Sequence, residues 1–189
     1  ETAVDEFFDE TQISNVPAVL VCNSGVLNEV TRTDVNLPVT DLTELEALEG
    51  MWVRFPQSLV VSDVFNAVRF GEFVASNGRL YQPTQVALPG APAQAQQMAN
   101  DLNRVIIDDG RVGANQMPFL PGQDDVNPLN ASNPIRNGFT VANSEGALGF
   151  AFGSYRVQSI VSPVFDESAN PRTAAPVAPA SNLRVASFN

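Results

Sequence analysis

The residues with the clearest potential for chemistry are two adjacent acidic pairs, Asp108-Asp109 and Asp124-Asp125. Metal-dependent phosphodiester hydrolysis needs several carboxylates that converge on a divalent ion. Neighbouring residues of a strand point to opposite faces, so the first pair cannot easily chelate one ion. Asp124 and Asp125 stand in a long Asn-, Pro- and Gly-rich segment, and Ca²⁺ accepts carboxylates from loops. A metal site at Asp124 and Asp125 is therefore one expectation, and solvated turn acids are the alternative.

Most other catalytic chemistries lack their usual residues in this sequence. The chain has no His, and all ten basic residues are Arg. His is the commonest general base and metal ligand, and Lys would be needed for Schiff-base chemistry. The glycines between residues 146 and 153 lie in predicted strands and open no helix, so they do not form a nucleotide-binding loop. The chain is therefore predicted to be inactive by itself.

The elements that must position these residues are mostly strands. Alternation of apolar and polar residues, bounded by Gly, Pro and Asn, is the main signal. The strands that it predicts are 51–55, 59–63, 67–75, a return strand beginning at 79–82, 105–107, a hairpin of 138–143 with 147–152, and 155–161. Two shorter fragments, 4–8 and 16–22, precede them. The one convincing helix is 91–103, with an apolar stripe at Ala91, Ala95, Met98 and Leu102.

This order of elements indicates a particular fold class. Five or six strands with a helix between the third and fourth are the layout of an OB-fold, a small Greek-key barrel. The predicted class is thus mainly β: an OB-like five- to six-stranded Greek-key barrel with one helix, plus short flanking β segments. A β-sandwich is the alternative, although a sandwich would not require the helix.

If the fold is an OB-like barrel, some of its side chains could bind nucleic acid. OB-folds bind single strands with aromatic platforms and Arg side chains. Most Phe residues are expected in the core, whereas a Tyr hydroxyl favours a wet surface. The predicted nucleic-acid-binding candidates are Arg69, Arg79, Tyr81, Tyr155 and Arg156.

Composition restricts the partners and the compartment. The net charge of −11 opposes nonspecific attraction to phosphate, although it does not forbid a local Arg-lined groove. An acidic surface is typical of a secreted protein, and no apolar run is long enough to predict a membrane segment. Cys22 is the only cysteine, so it either pairs outside this chain or stays a free, buried thiol.

Several short blocks occur in an order that resembles a known family. The blocks are Glu49-Gly50-Met51-Trp52-Val53-Arg54-Phe55-Pro56-Gln57, Arg69-Phe70-Gly71-Glu72, Arg79-Leu80-Tyr81-Gln82-Pro83-Thr84, Ile107-Asp108-Asp109-Gly110, Phe152-Gly153-Ser154-Tyr155-Arg156 and Val185-Ala186-Ser187-Phe188-Asn189. Together they resemble the OB-like region of large secreted bacterial endonucleases, which precedes a deoxyribonuclease I-like domain of the endonuclease/exonuclease/phosphatase superfamily. The resemblance covers residues 45–189, and residues 4–13 resemble the end of a preceding OB-like module. Arg136-Asn137-Gly138 departs from the family pattern, in which an Arg, a Gly and an Asp are expected.

The resemblance implies a division of the chain and a place for it in a larger enzyme. Residues 1–44 would be the end of the preceding module and a connector, 45–166 the OB-like domain, 167–182 a Pro/Ala linker and 183–189 the first strand of the nuclease domain. Asn189 would form one corner of a catalytic site whose other residues lie downstream. The parent enzyme would use Mg²⁺ or Ca²⁺, whereas this portion would hold no cofactor.

The implied function is that of a non-catalytic accessory module of a secreted, extracellular bacterial endonuclease. The module would orient the downstream nuclease domain or present single- or double-stranded DNA to it. The alternative is a structural or interaction spacer that binds no nucleic acid, which the negative charge favours. Another phosphoesterase of the same superfamily is a third possibility, because the closing strand does not by itself name the substrate.

Overall fold

The structure is a computed structural model of the chain. It describes residues 3–111, 113–115, 129–130, 132–160, 162–175, 180 and 185. Asp124, Asp125 and Asn189 lie outside these ranges, as does the predicted strand 183–189 except for residue 185. The expectations that concern these residues therefore stay predictions.

Strands dominate the described residues, and short helices connect them. The strands are β1 (Ala3–Phe7), β2 (Glu10–Ser14), β3 (Thr33–Asp34), β4 (Trp52–Phe55), β5 (Leu59–Asp63), β6 (Glu72–Ser76), β7 (Val105–Asp108), β8 (Thr140–Val141), β9 (Ser144–Ala151), β10 (Ser154–Gln158) and β11 (Phe165–Asp166). The helices are α1 (Thr43–Glu46), α2 (Ala67–Phe70), α3 (Pro83–Val86) and α4 (Ala91–Leu102), with a 3-10 turn at Leu27–Glu29. The prediction of a mainly β protein is confirmed.

Nine strands form one curled sheet with the shape of a half-barrel. Their order is β11-β8-β5-β6-β7-β10-β9-β4-β3. The pairs β7–β10 and β3–β4 are parallel, and the others are antiparallel. Strands β4 and β5 are separated in sequence only by residues 56–58, yet β6, β7, β10 and β9 lie between them in the sheet. Because Pro56 has no backbone N–H for pairing, the chain bends there and passes from one side of the curl to the other.

The hydrophobic core lies inside this curl. Alternate residues of β5 and β6 face it, and Leu59, Val61, Phe73 and Ala75 are at most 2% exposed. The other hydrophobic strand residues that are buried to this extent are Val53, Phe55, Val105, Ile107, Val141, Leu148 and Val157. Burial of a Val, Leu, Ile or Phe side chain contributes about 1.5–3 kcal/mol. The period-two pattern of the sequence therefore accounts for most of the core.

Helix α4 has the predicted extent but not the predicted buried face. Met98 of the predicted apolar stripe is 63% exposed, whereas Ala93 and Asn100 are the buried residues of this helix. The Asn100 side-chain amide donates a hydrogen bond to the Tyr81 carbonyl oxygen at 3.0 Å. Helix α4 is held to the preceding segment partly by this polar contact. Of the predicted stripe, only Leu102 packs against the core, whereas Ala91, Ala95 and Met98 are exposed.

The predicted strand over residues 67–75 is wrong in its first half. Residues 67–70 form α2, and the strand begins only at Glu72. Gly71 ends the helix with a φ of 70°, a left-handed conformation that glycine adopts without a Cβ clash. Apolar residues at positions 68 and 70 fit one helical turn as well as a strand, so the pattern could not separate the two.

Two predicted pairings are also wrong. The return strand at 79–82 does not form, because β5 and β7 already occupy both edges of β6. The predicted hairpin of 138–143 with 147–152 is replaced by other partners: β8 pairs with β5 and β11, while β9 begins at Ser144 and pairs with β4 and β10. Turn signals mark where the chain bends but do not decide which strand accepts the hydrogen bonds.

The first described residues form a separate small hairpin. Strands β1 and β2 pair only with each other, and all residues of β1 are exposed. Residues 16–22 form no strand, contrary to the prediction, and Cys22 is exposed rather than buried. None of the described helices has the length and apolar character that a membrane span requires.

Candidate nucleic-acid interface

Arg79 and Tyr81 lie together on the segment that follows β6. Gly78 opens this segment with a φ of 78°. The backbone N–H of Leu80 donates to the Ser62 hydroxyl at 3.0 Å, and that hydroxyl lies 2.6 Å from the Ser76 hydroxyl. These bonds fix the segment against the outer surface of β5 and β6. The chain leaves the sheet here, and the side chains of Arg79 and Tyr81 are exposed to solvent.

The two side chains form an exposed cation–π pair. The Arg79 guanidinium carbon lies 5.3 Å from the centre of the Tyr81 ring, and Tyr81 is 49% exposed. Arg79 forms no ion pair with any residue that the structure describes. Its charge is therefore not neutralised, and its stacking on Tyr81 is worth about 0.5–1 kcal/mol at an exposed site.

Two grooves meet at the Arg79–Tyr81 pair. One has a volume of about 530 Å³ and reaches Pro38, Val86 and Leu102. The other has a volume of about 360 Å³ and reaches Asp63, Gln97 and Arg104. Both volumes fall in the range of about 300–1,000 Å³ that is typical of small-ligand sites. Tyr81 thus stands on a ridge between the two grooves, and a flat ring could stack on the face of Tyr81 that Arg79 does not cover.

Arg69 forms a second exposed cation–π pair at a different place. Its guanidinium carbon lies 4.9 Å from the centre of the Phe70 ring, on α2. Arg69 precedes β6 and Arg79 follows it, so the five residues of this strand, with a length of about 16 Å, lie between them in the chain. The structure does not bring these two predicted residues into one contact, although a short oligonucleotide could span the distance.

Arg156 occupies a buried ion cluster rather than an exposed binding surface. It is 7% exposed, and one guanidinium nitrogen lies 2.9 Å from Glu72 and 2.5 Å from Asp108. A second nitrogen donates to the Ala151 carbonyl oxygen at 3.0 Å, and the Phe152 ring lies 5.5 Å away. Two carboxylates neutralise this cation, although its buried Nε has no hydrogen-bond partner among the described residues, so the structure places Arg156 in a stabilising position.

Asp109 stands beside this cluster. Its side chain is 2% exposed and lies 3.7 Å from the Arg111 guanidinium. Burial raises the pKa of the Asp109 carboxyl, while the Arg111 backbone N–H and charge act in the opposite direction. Asp108 therefore contacts Arg156, and Asp109 contacts Arg111. The two carboxylates do not converge on one point, as the strand geometry predicted.

Tyr155 is half-buried, and its hydroxyl is already engaged. It donates a hydrogen bond to Glu46 at 2.7 Å, and its ring packs edge-on against Phe150 with centres 4.9 Å apart. Burial raises the Tyr155 pKa well above its usual range, and the Glu46 carboxylate raises it further. Tyr155 thus ties β10 to α1, and only part of its ring is open to a ligand.

No described residues fit the metal that the resemblance implies for the parent enzyme. Within the described ranges, no three His, Cys, Asp or Glu side chains are arranged to hold a metal ion. The residues proposed for that chemistry, Asp124, Asp125 and Asn189, are outside those ranges.

The structure adds residues to the interface that the sequence did not single out. Arg104, immediately before β7, lines the smaller groove, and the side chains of Gln82, Gln85 and Gln97 line it as well. The irregular 79–82 segment and α3 bring these residues together, so no regular periodicity could reveal them. The only sequence signal was the concentration of amides around Pro83 and in α4.

Comparison of this chain with protein-family models, with curated proteins and with solved structures finds no match.

Proposed function

We propose that this chain is a non-catalytic accessory module of a secreted bacterial metal-dependent endonuclease, which binds nucleic acid and presents it to the catalytic domain. The observation that carries the proposal is the Arg79–Tyr81 pair. It combines an unneutralised cation with a half-exposed ring, at the meeting point of two grooves. Base stacking on an aromatic ring and a nearby Arg are the usual elements of single-strand binding.

The finer fold that we propose is an OB-like barrel. If 52–63 is taken as one bent strand, its halves pair with β6 on one side and β9 on the other. This bent strand, β6, β7, β10 and β9 then form a closed ring of five strands, in which only the β7–β10 pair is parallel. In this description α4 lies between the second and third strands, one connection earlier than the sequence suggested. Arg79 and Tyr81 follow the second strand, close to the face that OB-folds use.

The binding prediction can be tested by titrating a labelled single-stranded oligonucleotide at low and high salt. We expect salt-sensitive binding that Arg79→Ala and Tyr81→Ala each weaken by about 5- to 150-fold, which corresponds to the 1–3 kcal/mol of one stacked base. Arg54→Ala is the matched control, because Arg54 is neutralised by Asp34 at 2.8 Å and lies on β4, outside both grooves. Equal effects of all three substitutions would contradict a local interface.

The absence of catalysis is a separate prediction. The chain alone should not cleave single- or double-stranded DNA, or RNA, with Mg²⁺ or Ca²⁺ present, because it has no His to act as a general base. Gel analysis of labelled substrates over a long incubation measures this. Robust cleavage that disappears with a metal chelator would contradict the accessory role.

A spacer without nucleic-acid binding is the second candidate function. The observation that favours it is the net charge of −11, together with the neutralisation of Arg32, Arg54 and Arg156 by carboxylates. This function predicts no oligonucleotide binding at high micromolar concentration, even at low salt. The same titration therefore separates the two candidates.

A further inference from the structure

The smaller groove beside Tyr81 is lined by side-chain amides. Gln82 and Gln85 come from the segment around α3, and Gln97 comes from α4. Gln82 and Gln85 are exposed, and their amides make no hydrogen bond to the described residues. The Gln97 amide nitrogen donates to Asp101 at 2.9 Å, which leaves its oxygen as an acceptor. Unused donors and acceptors thus stand next to the aromatic ridge.

The lining of this groove is less negative than the chain as a whole. Arg79 and Arg104 line it against one carboxylate, Asp63, whereas acidic residues outnumber basic ones by 21 to 10 over the sequence. The Asp101 carboxylate partly neutralises Arg104 at 3.4 Å, although 39% of the Arg104 side chain stays exposed. A phosphate is therefore attracted to this groove more than to the surrounding surface.

These features fit one kind of ligand. A base that stacks on Tyr81 turns its edge toward the groove, and an amide offers a donor and an acceptor that pair with such an edge. The edges used for Watson–Crick pairing are free only in a single strand. Arg104 lines the same groove and offers a cation for the sugar–phosphate backbone, which a neutral ligand would not need.

We propose that Gln82 and Gln85 hydrogen-bond to the edge of the unpaired base that stacks on Tyr81, while Arg104 contacts a phosphate of the same single strand. This inference rests on the proposed function and deepens it, because it adds base contacts to stacking and charge. The site is thus selective for single-stranded nucleic acid and distinguishes a base from a ring of equal shape that cannot hydrogen-bond.

The test compares two oligonucleotides of about eight nucleotides, within the site sizes of OB-folds. One is oligothymidine, and the other carries at every position a difluorotoluene ring, which has the shape of thymine but forms only weak hydrogen bonds. We expect oligothymidine to bind about two- to tenfold more tightly for each base contact, the effect of a typical net hydrogen bond. Gln82→Leu with Gln85→Leu should remove this difference and leave the affinity for the isostere unchanged.

Matched variants identify how much each side chain contributes to the oligonucleotide affinity. Gln94→Leu is the control, because Gln94 is exposed on α4 and lies outside both grooves. Arg104→Ala should weaken both oligonucleotides equally and reduce the slope of log affinity against log salt by about one. Thermal unfolding of each variant checks that the fold is intact.

The outcomes separate this inference from the proposed function. If both oligonucleotides bind equally well and Tyr81→Ala weakens both, the base contacts are overturned and the proposed function stands. If a duplex competes as well as a single strand, the selectivity for unpaired bases is overturned. If neither oligonucleotide binds at low salt, the proposed function and this inference both fail.

Discussion

At the scale of single residues, Arg156 has a different role in the structure from the one that the sequence predicts. The sequence suggests a ligand-binding Arg, whereas the structure surrounds it with Glu72, Asp108 and the Ala151 carbonyl. A desolvated cation with two carboxylates is strongly coupled to its partners, because removal of the cation leaves like charges buried together.

The first prediction of stability concerns this cluster. Arg156→Ala should lower the free energy of unfolding by about 3–5 kcal/mol, since it leaves the buried carboxylates without a partner. Arg54→Ala is the control and should cost no more than about 1 kcal/mol, because the Arg54–Asp34 pair is partly exposed. Urea unfolding followed by circular dichroism measures both. Similar small losses in the two variants would show that the cluster is solvated.

At the scale of elements, the link between α4 and the 79–82 segment positions the candidate interface. Asn100 connects them through the Tyr81 carbonyl, and Asn103 adds hydrogen bonds to the backbone of Asn77 at 2.9 and 3.1 Å. The segment has no strand partner, so these side chains replace the hydrogen bonds that a sheet would supply.

This link gives a prediction about local order. Asn100→Ala should cost about 1–2 kcal/mol of stability and accelerate amide hydrogen exchange in residues 80–82, because the Tyr81 carbonyl loses its donor. Gln97→Ala is the comparison, since among the described residues the Gln97 amide bonds only to half-buried Asp101 on the same helix. Mass-spectrometric hydrogen exchange of both variants measures the effect. Equal exchange rates in the two variants would mean that other contacts hold the segment.

At the scale of the whole molecule, the net charge opposes both compactness and nucleic-acid binding. Eleven uncompensated negative charges repel one another in the folded state, and salt screens that repulsion. The Debye length falls from about 30 Å at 0.01 M salt to about 8 Å at 0.15 M. Low salt therefore gives the strongest charge repulsion within the folded chain. The same low salt also favours an Arg-mediated contact with phosphate.

Salt should thus have opposite effects on stability and on binding. Between about 0.01 and 0.15 M salt we expect the unfolding temperature to rise and the oligonucleotide affinity to fall. Calorimetry in NaCl and in KCl measures the first effect and excludes binding of one particular cation. A falling unfolding temperature would show that ion pairs such as Arg54–Asp34 outweigh the general repulsion.

The sequence by itself determined the parts of this protein that depend on neighbouring residues. Strands β5 and β7 and the mainly β class followed from local periodicity, because burial of one face requires it. The extent of α4 was predicted as well, although not the residues that it buries. Tertiary structure alone decided the pairing of β8 and β9, the helix at 67–70 and the different surroundings of Arg79 and Arg156. These outcomes depend on which strand edge is already occupied and on which carboxylates approach a cation, and such contacts join residues that are far apart in the chain.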